Sequence, residues 1–143
     1  RMGDFEKTVS HMKEVLRLDA NHVDALNYLG YSYAERGTHL QEALQMIQKA
    51  MTLKPNTGYI TDSLGWVYFK LGNYDKAVAE LEKAHQLSPE DATITEHLAD
   101  GYARLNRIEK ALEYYEKALT LEPKPDQAAR LRGKINEIKG KKR

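Results

Sequence analysis

The chain contains no cysteine. Disulfides, thiolate nucleophiles and Cys-based zinc sites are therefore excluded, while cytoplasmic and periplasmic settings both fit and neither is assigned. Prolines number four and phenylalanines two in 143 residues, 30% of which are charged. That composition points to a soluble helical protein rather than a sandwich or a disordered tail. No apolar run approaches the roughly 18 residues needed to cross a bilayer, so no membrane span is expected, and the opening Arg-Met-Gly-Asp-Phe-Glu-Lys-Thr-Val does not read as a signal peptide.

Catalytic constellations are missing too. The five histidines form no His-Glu-x-x-His pair, and no glycine-rich phosphate loop occurs. His97 stands beside Glu96 and one turn before Asp100, which invites a metal reading. A hydrogen-bonded or solvated histidine is the stronger expectation. No catalytic residue, metal or cofactor is assigned, and the chain reads as a non-enzyme.

The net charge of +1 hides a gradient. Residues 1–22 and 23–56 each balance, residues 57–90 carry 3 Lys/Arg against 5 Asp/Glu, and residues 91–123 carry 4 against 7. From Lys124 to Arg143 the count reverses to 8 against 2. Such a basic end could bind nucleic acid or anionic lipid. The favoured reading is a solvated terminal helix that frays into Lys-Gly-Lys-Lys-Arg.

What the sequence has in abundance is self-similarity. Leu29, Leu64 and Leu98 are followed by Gly30, Gly65 and Ala99, then by Tyr33, Tyr68 and Tyr102. Later come Ala43, Ala77 and Ala111, then Ile47, Leu81 and Tyr115, then Ala50, Ala84 and Ala118, before Pro55, Pro89 and Pro123. The period between the second and third units is thirty-four residues, and Gly-Thr-His-Leu-Gln-Glu-Ala makes the first one residue longer. These spacings put one apolar stripe on each of two helices per unit. A Gly or Ala in a stripe lets a neighbouring helix approach, and Ala99 suggests that Gly65 accepts a methyl group but nothing larger. Gly37, Gly72 and Asn106 suit the left-handed residue that ends a helix.

This pattern resembles the tetratricopeptide repeat, with large-x-x-Leu-Gly-x-x-Tyr on a first helix, Ala-x-x-x-Phe-x-x-Ala on a second and a closing Pro. Stretches such as Asp-Ser-Leu-Gly-Trp-Val-Tyr-Phe-Lys-Leu-Gly are similar to the arrays of many bacterial proteins. The resemblance implies an all-α, right-handed superhelical solenoid of antiparallel helix pairs, about eight helices in all. Repeats are expected at 23–56, 57–90 and 91–124. The motif's first large aromatic is replaced by Leu26, Thr61 and Thr95, which lightens packing at each first helix. Residues 1–22 match the second half of a repeat whose first helix is missing, so Phe5, Val9, Met12 and Leu16 are expected to form an exposed, self-associating edge. In 125–143, Ala128, Leu131, Ile135 and Ile138 form one stripe beneath a basic surface, as a capping helix requires.

By resemblance, first helices line a concave groove. The groove residues expected to touch a partner are Asn27, Tyr31, Glu35, Tyr59, Asp62, Trp66, Phe69, Lys70, Glu96, Asp100 and Arg104, with Trp66 pointing into the concavity. Asp62 and Glu96 stand where a carboxylate-holding groove would carry cations. Acidic groups around aromatic ones suit instead an extended protein segment with basic and apolar side chains. The chain thus reads as a protein–protein interaction module. A self-assembling scaffold, a homo-oligomer through the open edge, is the alternative. An RNA-reading helical repeat is disfavoured because its groove should be basic, so no nucleic-acid partner is assigned.

Overall fold

The computed structural model describes residues 2–141. Among them are eight helices and no strand: α1 (Met2–Leu18), α2 (Val23–Arg36), α3 (Leu40–Leu53), α4 (Gly58–Lys70), α5 (Tyr74–Leu87), α6 (Ala92–Arg104), α7 (Ile108–Leu119) and α8 (Pro125–Lys141). Local chemistry sets the boundaries. The side chains of His22, Asn73 and Asp91 accept from the backbone N–H three residues on, at 3.1, 3.3 and 3.0 Å, which caps α2, α5 and α6. Gly37, Gly72 and Asn106 adopt φ of 70°, 86° and 61° and release the chain from α2, α4 and α6. Pro125 opens α8, where its missing N–H costs nothing. Part of the expected frayed end, residues 142 and 143, lies outside the described residues, and Lys141 is still helical.

The extra residue of the first unit is absorbed at His39, which takes φ of 51° immediately before α3. Its ring stacks on Tyr33 at 4.5 Å, a contact the other units lack. Histidine is among the residue types that enter this left-handed region more readily than most, so it suits the corner that the insertion makes.

Neighbouring helices pack in sequence, and α2, α4 and α6 also meet side by side. The six recurring alanines, Ala43, Ala50, Ala77, Ala84, Ala111 and Ala118, are fully buried along the second helices. Two apolar clusters result, one around Leu29, Ile47 and Val67 and the other around Leu81, Leu98 and Tyr115. Tyr68 and Phe69 touch both, which makes the array one continuous core. Leu131, Ile135 and Ile138 of α8 close its C-terminal end. Thr61 and Thr95, buried at the starts of α4 and α6, donate to backbone carbonyls one turn back at 2.9 Å, so their hydroxyls are satisfied without a large ring.

Close approach is tighter than the sequence suggests. A Cβ built on Gly65 would lie 2.7 Å from Leu81 Cγ and 3.2 Å from the Ala77 carbonyl oxygen. The expectation that Gly65 accepts a methyl is therefore corrected: Leu81 branches over the glycine and is itself fully buried. In the third unit Ala99 faces a different partner, because Tyr115 replaces the branched leucine and reaches past it to Asp100.

Candidate interaction groove

Residues one repeat apart meet along the face formed by α2, α4, α6 and α8. Tyr59 Oη donates to Asp24 Oδ1 at 3.0 Å, and His97 Nδ1 lies 2.9 Å from Asp62 Oδ1. Gln127 Nε2 donates to Glu96 Oε1 at 3.0 Å, while Arg130 donates through Nε and Nη2 to both oxygens of Glu96 at 2.8 Å. Lys134 Nζ reaches Glu96 at 2.7 Å and Asp100 at 3.0 Å. Fork-to-carboxylate pairing of this kind is directional as well as charged, so it holds α8 in register on α6.

The floor of the groove is an aromatic stack. Trp66 lies between Phe69, at 4.6 Å, and His97, at 3.9 Å, and both contacts are nearly parallel. Its Nε1 donates to Glu35 Oε1 at 2.8 Å, and Lys70 Nζ sits 5.4 Å from its ring. Only 8% of Trp66 is exposed. Burial alone would drive His97 toward its neutral form. The Asp62 carboxylate, by its field and its hydrogen bond, outweighs that with help from Asp100 and Glu96, so the pKa of His97 stands above its ordinary value. Burial likewise penalises the Glu96 carboxylate, but hydrogen bonds from Arg130, Lys134 and Gln127 hold its pKa down at about 2. Tyr31 is pushed up, by burial first and then by Glu35, Asp62 and Glu96.

Two adjoining depressions run along this face. One, of about 260 Å³, is bounded by Tyr31, Glu35, Trp66, Thr93 and Arg130. The other, of about 420 Å³, is bounded by Phe69, Ala103, Arg104, Tyr115, Ile138 and Lys141. Asp100 and Lys134 belong to both walls.

The expected groove residues divide between rim and interior. Tyr59, Glu35, Lys70 and Arg104 are exposed, and Tyr31, Asn27, Phe69 and Asp100 are half-buried. Asp62, Trp66 and Glu96 are buried. The picture of Trp66 as an open aromatic anchor is thus corrected: α6 supplies His97 as a lid for one ring face and Phe69 covers the other. The acidic groove is corrected in part, since Asp62, Glu96 and Asp100 are met by His97, Arg130 and Lys134. Asp24, Glu35, Asp62, Glu96 and Asp100 all accept hydrogen bonds from within the chain. Asn27 Oδ1 is buried without a hydrogen-bond partner among the described residues.

The edge reading is corrected in the same way. Phe5, Val9, Met12 and Leu16 are half-buried and pack inward on the cluster of α2, not outward. Phe5 meets Tyr33 edge-on at 6.5 Å, and the Arg36 guanidinium covers it at 4.2 Å. Packing these side chains on α2 removes their apolar surface from water, which favours the inward orientation.

Sequence reasoning missed Gln127, Arg130 and Lys134, and it expected a hydrogen-bonded or solvated His97 without placing that ring in the groove. The signal was available: Gln127, Arg130 and Lys134 follow Thr93, Glu96 and Asp100 by thirty-four residues each, so the period continues into α8. A polar face was expected there, but not that its cations would turn back onto α6.

Paired antiparallel helices stacked in register, with one face lined by every first helix, define a helical-repeat protein. Arrays of this kind present extended concave surfaces to partner proteins. The tetratricopeptide repeat family model matches residues 1–131, and the chain belongs to that family. Over 72 residues, half of this chain, it is 33% identical to a tetratricopeptide-repeat-containing protein of Pseudomonas aeruginosa, of which the match spans 12%. The crystal structure of a thermophilic tetratricopeptide repeat protein of Thermus thermophilus superposes with a TM-score of 0.80 at 25% identity, covering 96% of this chain and 74% of that one. The protein MamA superposes with a TM-score of 0.72 at 28% identity, covering 97% and 75%. No described helix is long and apolar enough to cross a membrane.

Proposed function

We propose that this chain is a non-catalytic protein-interaction module that holds an extended segment of a partner protein along the face of α2, α4, α6 and α8. The observation that carries this reading is the pair of depressions sharing Asp100 and Lys134, which together make one groove across three consecutive repeats. Its centre is internally paired: Trp66 stacks on His97, His97 bonds Asp62, and Arg130 and Lys134 hold Glu96. A partner therefore meets a preorganised floor, where Phe69 is half-buried, and contacts Tyr31, Lys70 and Arg104 around it, which spares it the cost of ordering the site.

A photo-crosslinking amino acid placed at Tyr31 or at exposed Thr93 tests this, with exposed Gln45 on α3 as the control outside the groove. Partner protein captured from the native host extract should crosslink at Tyr31 and Thr93 and not at Gln45. Crosslinks confined to Gln45 would sink the groove reading.

A further inference from the structure

The open charge at one end of the groove is opposite to the sign that its first helices suggest. Lys70, Arg104 and Lys141 are exposed, and none has a carboxylate within ion-pair distance among the described residues. Asp100 is held by Lys134 and by the Tyr115 hydroxyl, and Glu96 by Arg130 and Lys134. Glu137 is the carboxylate on this wall without an ion-pair partner among the described residues, and it faces two such cations there, Arg104 and Lys141. Glu35 lies outside this cavity and is engaged by Trp66.

The setting of Arg104 is specific. Its guanidinium carbon lies 5.8 Å from the Phe69 ring centroid and 5.5 Å from that of Tyr74. Ring faces hold the guanidinium plane, but they supply none of the paired acceptors that its N–H fork matches. Beside it the cavity of about 420 Å³ offers Phe69, Ala103 and Ile138 as an apolar surface, with Lys141 also in its lining. A carboxylate next to an apolar side chain complements both features at once.

We propose that this end of the groove docks an acidic segment of a partner protein, a Glu or Asp carboxylate on Arg104 and a neighbouring apolar side chain against Phe69 and Ile138. This rests on the groove reading above and adds the chemistry of the ligand. Lys141 lines the site, and Lys70, held over the Trp66 ring that stacks on Phe69, adds positive charge nearby; both steer the approach of negative charge, an effect that salt screens.

The test uses the whole chain and three fluorescein-labelled peptides of alternating composition, Glu with Leu, Gln with Leu and Lys with Leu. A single-stranded oligouridylate and phosphatidylserine vesicles serve as non-protein anions. Fluorescence anisotropy should show the Glu–Leu peptide binding at least about tenfold more tightly than the Gln–Leu peptide. Raised salt should weaken that binding. Arg104→Glu should abolish it and Lys70→Glu with Lys141→Glu should weaken it, while circular dichroism stays unchanged, because all three side chains are exposed. Equal binding of the Gln–Leu peptide, or indifference to Arg104→Glu, would overturn the assignment. Binding of the Lys–Leu peptide with a change in Trp66 emission would overturn the charge of the ligand but keep the groove. If the oligouridylate or the vesicles bind and the Glu–Leu peptide does not, the acidic protein segment is the wrong ligand class. Failure of all three peptides at millimolar concentration would remove the groove reading along with this one.

Discussion

The Trp66 indole and the His97 imidazole stack at 3.9 Å between ring centroids, inclined by 17°, and join α4 to α6 at the centre of the groove. His97 is anchored from behind by Asp62, and Trp66 is tied to α2 through Glu35. Three consecutive repeats are thus coupled through one pair of rings, in a solenoid whose stability otherwise sums nearest-neighbour terms.

Trp66→Ala should therefore act on stability before it acts on binding. Removing a buried tryptophan typically costs about 3–5 kcal/mol, and Glu35 and His97 lose their contacts at the same time. Urea melts followed by circular dichroism should show the midpoint falling sharply. Trp66→Phe, which keeps an aromatic face for His97, should lose less. Native Trp66 emission should also be that of a buried indole and shift to the red on unfolding. An unchanged urea midpoint for Trp66→Ala would mean that the stack contributes little.

Protonation of His97 adds a pH dependence whose sign is fixed by its raised pKa. Its neighbours are Tyr31 on α2, Asp62 on α4, Glu96 and Asp100 on α6, and Arg130 and Lys134 on α8. Because the folded state favours the imidazolium, the stabilisation is complete below the ordinary histidine value of about 6.5 and is lost as pH rises through the higher folded value. Glu96 works in the other direction. With a folded pKa of about 2, it stabilises fully above the ordinary glutamate value and loses that contribution as pH falls toward the folded one. Urea midpoints measured across pH should decline on both flanks. His97→Asn should flatten the alkaline flank and Glu96→Gln the acid flank. An alkaline decline that survives His97→Asn would assign the slope to another group.

The repeat was legible because it is over-determined: Leu29, Leu64 and Leu98 recur with a small residue, a tyrosine and three apolar positions on the next helix, and each recurrence answers to one packing contact. Cap positions were legible for the same reason, since Gly37, Gly72 and Asn106 each solve the end of a helix. The groove was less so. Its chemistry depends on which charges from one helix land on the next, and Arg130 or Lys134 read as solvated surface until α8 is laid beside α6. The face of α1 was misjudged because the repeat register alone does not show that α2 offers apolar cover to Phe5, Val9, Met12 and Leu16. Phe5 and Leu16 follow the burial that α2 offers.

Gly65 offers the sharpest test of the packing. A methyl group there would stand 2.7 Å from Leu81 Cγ, and that carbon is a branch point in a fully buried side chain, so it cannot swing away as a flexible tip could. The backbone carbonyl of Ala77, at 3.2 Å, blocks relief from the other side. Helix propensity favours alanine over glycine by about 1 kcal/mol, which offsets part of the strain. Overpacking of this kind costs about 1–3 kcal/mol, so Gly65→Ala should still be destabilising and Gly65→Leu much more so. Leu81→Ala should be destabilising alone, through the cavity it leaves. In the double variant the new methyl enters that space, and the two losses should add to less than their sum. Four urea curves complete the cycle. Strict additivity would show that Gly65 and Leu81 do not confront each other and that the approach of α4 to α5 is set elsewhere.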